Sequence, residues 1–211
     1  MHHAFRFAAA AIAAGMLSSA HAGSDQFQRI EFFGSWAQID ADDTTTEEFD
    51  GIGGGLRVVG GQRVGFFGDF SGEYVPTERD DGGADLDFEN YRAGAGWGFP
   101  AGPVGFFQLK AEYASLRTER QAPGGKVKES QDGYGVHLQF EQDLPYSLGV
   151  HASLGYLDLD DADGIEYVIG VHWVPDVFGF FAQYRWDDLD IADSDAELRI
   201  DTVRAGFRVP F

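Results

Sequence analysis

Three histidines stand in the body of the chain, His137, His151 and His172, each inside a run in which polar and apolar residues alternate. Imidazole is the side chain best suited to exchange a proton near neutral pH, so each is a candidate general base. Ser153 lies two residues beyond His151, on the same face of an extended segment, and brings a hydroxyl beside it. The second chemical resource is carboxylate. Asp158, Asp160, Asp161 and Asp163 crowd one short stretch, and clustered carboxylate oxygens suit hard cations such as Ca²⁺ or Mg²⁺. The stretch DLDDADGIE departs from an EF-hand loop, because Leu159 stands where the first Asp belongs and no helical pattern flanks it. A solvated acidic surface is the alternative use of the same residues. The absence of Cys excludes a disulfide framework, a thiolate metal site and a Cys-anchored lipoprotein.

The elements that must hold these groups are strands. FQRIEFFGSWAQI, from Phe27 to Ile39, sets Ile30, Phe32 and Trp36 against Arg29, Glu31 and Ser35, a period of two. FDGIGGGLRVV, VGFFGDFSGEYV, FENYRAGAGWGF and VGFFQLKAEYASL continue the alternation. GYGVHLQFEQ, LGVHASLGYLDL, IEYVIGVHWV, FGFFAQYRWDDL and the closing segment complete about ten strands, eight if two of the shorter ones are loops. Short turns alternate with longer polar connections, and VGFF at Val64, VGFF at Val104 and FGFF at Phe178 each follow a short turn, so one kind of hairpin recurs. The chain of 211 residues is one domain in length, 44% hydrophobic and 15% aromatic, yet its mean hydropathy is only −0.24. Apolar and polar residues are finely mixed, as when alternate side chains face lipid and an interior. A formal charge of −20 argues against nucleic acid as a partner.

The last stretch, ELRIDTVRAGFRVPF, places Val203, Ala205, Phe207, Val209 and Phe211 on one face and Thr202, Arg204, Gly206, Arg208 and Pro210 on the other. A chain that stops on an aromatic after such a strand resembles the Gram-negative outer-membrane β-barrel family, and its acidic loops and spacing are similar to the small Ax21-type barrels. The resemblance implies that Phe207, Val209 and Phe211 close the barrel and that the terminal Phe is read by the assembly machinery. MHHAFRFAAAAIAAGMLSSAHA reads as a secretory signal cleaved after Ala22, leaving a barrel domain over 23–211. No run reaches the roughly 18 apolar residues of a spanning helix, so a membrane passage requires a closed barrel. The expected location is the outer membrane, as a monomer among its lipid and lipopolysaccharide, with short turns toward the periplasm and the GFF segments in an aromatic girdle.

Within such a barrel the inward faces carry charges of both signs. Equating residues across the short turns pairs Arg92 with Glu112 and Glu166 with Arg185, sets Arg57 near Asp69, and brings Glu31 to Arg208 at the seam. These pairs predict a polar plug; a narrow channel is the alternative. Outer-membrane proteases of the omptin type use Asp and His at the outer rim, whereas these histidines stand mid-strand or near short turns, and the residues around His151-Ala152-Ser153 do not match the lipid A deacylases. A non-enzymatic structural or surface-interaction protein is therefore expected, with no cofactor beyond Ca²⁺ or Mg²⁺ at the acidic loops, and a hydrolase as a second alternative. Only the third connection is basic, through Arg117, Arg120, Lys126 and Lys128, which suits lipopolysaccharide phosphates.

Overall fold

The computed structural model describes residues 27–42, 47–79, 86–122, 125–192 and 196–211. The stretch read as a secretory signal, 1–22, lies outside the described residues. Ten strands follow one another: β1 (Arg29–Asp42), β2 (Glu47–Gly61), β3 (Gly65–Arg79), β4 (Leu86–Pro100), β5 (Gly105–Ala122), β6 (Gly125–Leu144), β7 (Leu148–Leu159), β8 (Ala162–Trp173), β9 (Gly179–Ile191) and β10 (Glu197–Pro210). Each pairs antiparallel with its neighbours in sequence, and β1 pairs with β10, so the sheet is a closed up-and-down barrel of ten strands. At the seam Phe32 faces Phe207, Ile30 faces Val209, and the Phe211 amide donates to the Gln28 carbonyl at 3.1 Å. Closure leaves no free sheet edge.

The connections differ from those read in the sequence. The third long connection is itself strand: β5 and β6 remain in register from Gly105 opposite Gln142 up to Ala122 opposite Gly125. The fourth is a tight turn at Asp160 and Asp161, with Asp158 opposite Asp163 on the flanking strands. Polar residues in these stretches keep the extended conformation because cross-strand pairing satisfies their backbone, whatever their side chains face.

A further correction concerns the GFF segments. The period of two sends only one ring of each adjacent pair outward. Phe66 is exposed while Phe67 is buried against Phe27, and Phe180 is exposed while Phe181 is buried beside Phe33. The outward ring meets the neighbouring strand's aromatic: Phe66 lies opposite Trp97, and Phe180 stacks on Trp173 with centroids 6.3 Å apart.

Inward glycines make room for large polar side chains. The register sets His137 opposite Gly155, His151 opposite Gly170 and His172 opposite Gly149, and a Cβ at any of these glycines would strike the imidazole. A strand that carries a ring into a narrow lumen needs an empty position facing it. Gly155→Val is expected to destabilise the barrel by about 1–3 kcal/mol through overpacking, while Gly34→Ala, whose new methyl meets only a carbonyl at 3.8 Å on the outer face, leaves stability unchanged. Urea titration of the two refolded variants checks the contrast.

Candidate functional site: the lumen and the loop-side rim

Three layers fill the barrel. At the loop end lies an apolar plug of Ala37, Ile39, Phe49, Val75, Phe88, Ala114, Leu116, Leu157, Leu159, Ala162, Leu189 and Ile200, drawn from every strand except β6. This plug was not expected from the alternation alone, although Leu86, Phe88, Leu157, Leu159, Leu189 and Leu198 stand on the inward parity and could have revealed it. Below it the inward side chains are charged. At the turn end Phe27, Val59 and Phe67 form a small second cluster.

Charge in the lumen is balanced. Below the plug, Arg29, Arg57, Arg63, Arg92, Lys110, Arg185, Arg204 and Arg208 face Glu31, Asp69, Glu73, Glu112, Glu141, Asp143, Glu166 and Asp187. The two sets are equal in number, so these lumen groups contribute nothing to the formal charge of −20. Glu31 accepts from Arg29 at 2.8 Å and Arg208 at 2.6 Å, with Arg57 at 3.7 Å. Arg57 grips Asp69 at 2.9 and 2.7 Å, and Arg204 grips Glu73 at 3.0 and 2.5 Å. Arg92 and Glu112 meet at 2.9 Å.

Glu166 and Arg185 are not one of the ion pairs, a correction to the cross-turn reading. The register places Asp187 opposite Glu166 and Val168 opposite Arg185. Arg185 therefore contacts Asp187 at 3.1 Å along its own strand, and Glu166 crosses the lumen to Arg92 and to His137 at 3.3 Å. Two-strand reasoning misses such partners, because a small barrel brings opposite walls within side-chain reach.

The histidines are enclosed. His137 is 2% exposed and stands between Glu112, at 3.0 Å from Nε2, and Glu166, on the Nδ1 side. His151 and Ser153 line an internal cavity of about 50 Å³ below the plug. His172 shares the turn-end mouth with Glu141 and Asp143, whose potential ligand atoms lie within 4.8 Å of one another. Arg63 already occupies those carboxylates, at 2.6 Å to each Asp143 oxygen and 3.0 Å to Glu141, and stacks 3.9 Å over Phe106. The mouth thus contains its own cation.

The loop-side acids have a different arrangement. Asp158, Asp160, Asp161 and Asp163 do not converge into a ligand set among the described residues: Asp163 accepts from Tyr156, Asp160 accepts from the Asp132 amide at 3.4 Å, and Asp160 and Asp161 form the tip. A step of belt aromatic and Asp recurs instead. Trp36, Tyr74, Tyr113, Tyr156 and Tyr184 each precede by two positions the residue that pairs with Asp50, Asp87, Asp132, Asp163 and Asp201 respectively. Tyr156 and Tyr184 donate to their Asp directly. The exception to the acidic rim is the β5–β6 hairpin, where Lys126 and Lys128 flank Glu119 and hold its carboxyl below the usual range.

No family model and no curated protein matches the chain. The solved structures it resembles include the transport unit of the autotransporter AIDA-I from Escherichia coli, at TM-score 0.50 and 9% identity over 96% of this chain and 97% of that one. They also include the translocator domain of autotransporter NalP from Neisseria meningitidis (0.48, 13%, 100% and 96%) and the attachment invasion locus protein Ail of Yersinia pestis (0.45, 14%, 86% and 98%). The likeness is one of fold. The chain is an antiparallel β-barrel of the outer-membrane type.

Glu31 contacts three guanidinium groups, and its removal takes from the buried Arg29 and Arg208 their nearest carboxylate, while Arg57 keeps Asp69. Glu31→Ala is expected to cost about 3–5 kcal/mol, against less than about 1 kcal/mol for Arg199→Ala at the half-exposed pair with Asp188. Denaturant unfolding of both variants in the same detergent measures the difference.

Proposed function

We propose that the protein is an integral outer-membrane barrel without catalytic activity, which acts through its loop-side rim in surface interaction or envelope stabilisation. The observation that carries this reading is an inversion of sheet polarity along the strands. On the turn side the outer face is apolar and the lumen charged: Phe32, Trp97, Leu154, Phe180 and Val203 point out, Arg92, His151, Gln183 and Arg204 point in. Near the loop end the pattern reverses within the same strands. Asp40, Asp87, Asp158, Asp188 and Asp201 point out, and Ile39, Phe88, Leu157, Leu189 and Ile200 are buried inside. An apolar exterior suits lipid, and a charged exterior over an apolar interior suits water.

The boundary follows the aromatic belts. Phe107 and Tyr113 are six residues apart on β5, as are Trp97 and Tyr91 on β4, about 20 Å along a strand, the order of the apolar band of an outer-membrane barrel. Strands of 12 to 20 residues exceed the 9–11 needed to span, and the excess stands above the membrane. With plug, ion pairs and Arg63 across the mouth, neither a wide channel nor a substrate path to the histidines fits this interior. That supports interaction over conduction and hydrolysis.

The rim then supplies the contacts. Its acidic field attracts divalent cations or cationic partners as a diffuse field, and the basic β5–β6 hairpin faces lipopolysaccharide phosphates. Fractionation is expected to recover a heat-modifiable species in outer membranes, and recovery as soluble periplasmic protein without a mobility shift overturns the location. Planar bilayers are expected to show no large stable conductance. Phe211→Ala is expected to lower insertion while export continues, measured as the heat-modifiable fraction. Binding of Ca²⁺ to the refolded protein is expected to weaken with salt as the Debye length falls to about 8 Å at physiological ionic strength, and titration calorimetry across salt concentrations checks it.

A further inference from the structure

The cavity at the centre of the lumen has an unbalanced lining. Arg57, Arg92, Lys110, Arg185 and Arg204 border it, against only two carboxylates, Asp69 and Glu166. The cations are anchored from behind: Arg57 by Asp69, Arg204 by Glu73, Lys110 by Glu112 at 2.5 Å, and Arg185 by Asp187. Arg92 Nη2 and His151 Nε2 are buried and have no hydrogen-bond partner, and their side chains are more than nine-tenths buried, while Arg185 Nε lies 3.1 Å from Asp187. Buried donors without acceptors are costly, and guanidinium N–H groups are the donors that suit an anion.

We infer that this cavity is a binding site for a small inorganic anion, with chloride as the size-matched candidate. A volume of about 50 Å³ exceeds the roughly 10–15 Å³ required by one water and admits a halide with a water beside it. The charge balance agrees. The lumen groups below the plug are equal in number, and His137, with a carboxylate oxygen near each ring nitrogen, has the surroundings of an imidazolium, which is a donor at both positions. One added anion offsets that charge. Such a site would fix the interior cations at one geometry. It does not depend on where the barrel resides, and so stands or falls apart from the proposed location.

The test uses the whole refolded barrel in detergent. Crystals grown with bromide are expected to show an anomalous peak in the lumen, in contact with Arg92 and Arg185. In solution the unfolding midpoint is expected to rise with the logarithm of chloride concentration when gluconate holds the ionic strength constant. Arg185→Gln removes a cation from the cavity lining and should abolish that dependence; should this variant fail to fold, His151→Asn and the native bromide crystal decide. Ordered water alone in the cavity, bromide at the surface only, or equal midpoints in chloride and gluconate overturns the proposal.

Discussion

The structure depends on a reversal of face polarity partway along the strands. In a sheet, successive side chains must take opposite faces, so a strand that crosses from lipid into water cannot keep one pattern throughout. Here the pattern reverses without a break in hydrogen bonding: on β9, Phe180 and Tyr184 point out and Gln183 and Arg185 in, whereas above them Asp188 and Asp190 point out and Leu189 in. Below the reversal the outer face is apolar and ion pairs fill the inside. Above it the apolar plug holds the barrel from inside.

Charge is partitioned by the same boundary. Inside the lumen an unpaired charge would be costly, and the interior below the plug holds as many cations as anions. Outside and above the belt, acids remain hydrated and need no partner, so the excess collects there. The interior ion pairs fill and fix the lumen, and the acidic rim stands apart from them. The recurrent step of belt aromatic and Asp marks where one regime gives way to the other.

Much of this was legible in the sequence, because alternation is local. Strand number, closure order and the inward parity of His137, Arg92 and Glu112 follow from a period of two, and the contacts of Glu31 with Arg208 and of Arg57 with Asp69 follow from neighbouring strands. The Glu166–Arg185 pairing did not hold, because cross-lumen partners compete with those on adjacent strands. The extent of β5 and β6 was not legible either. Their upper residues are polar on both faces, so burial supplies no alternation where pairing alone sustains the strand.

The plug bears on what a barrel of this size can be. Ten strands enclose a lumen that side chains can fill, and filling can be done with ion pairs alone where lipid supports the outer wall. Above the lipid no such support exists. A ring of charged pairs there would face water within and without, and hydration would compete with every pair. Apolar side chains are the only interior that water itself drives together, which accounts for Phe88, Leu157, Leu189 and Ile200 meeting at the loop end, where the outer face is charged, while Arg92, Arg185 and Arg204 meet where the outer face is apolar. Packing at the loop end therefore does two things at once: it fills the interior there, and it joins from within the strands whose outer faces carry the acids.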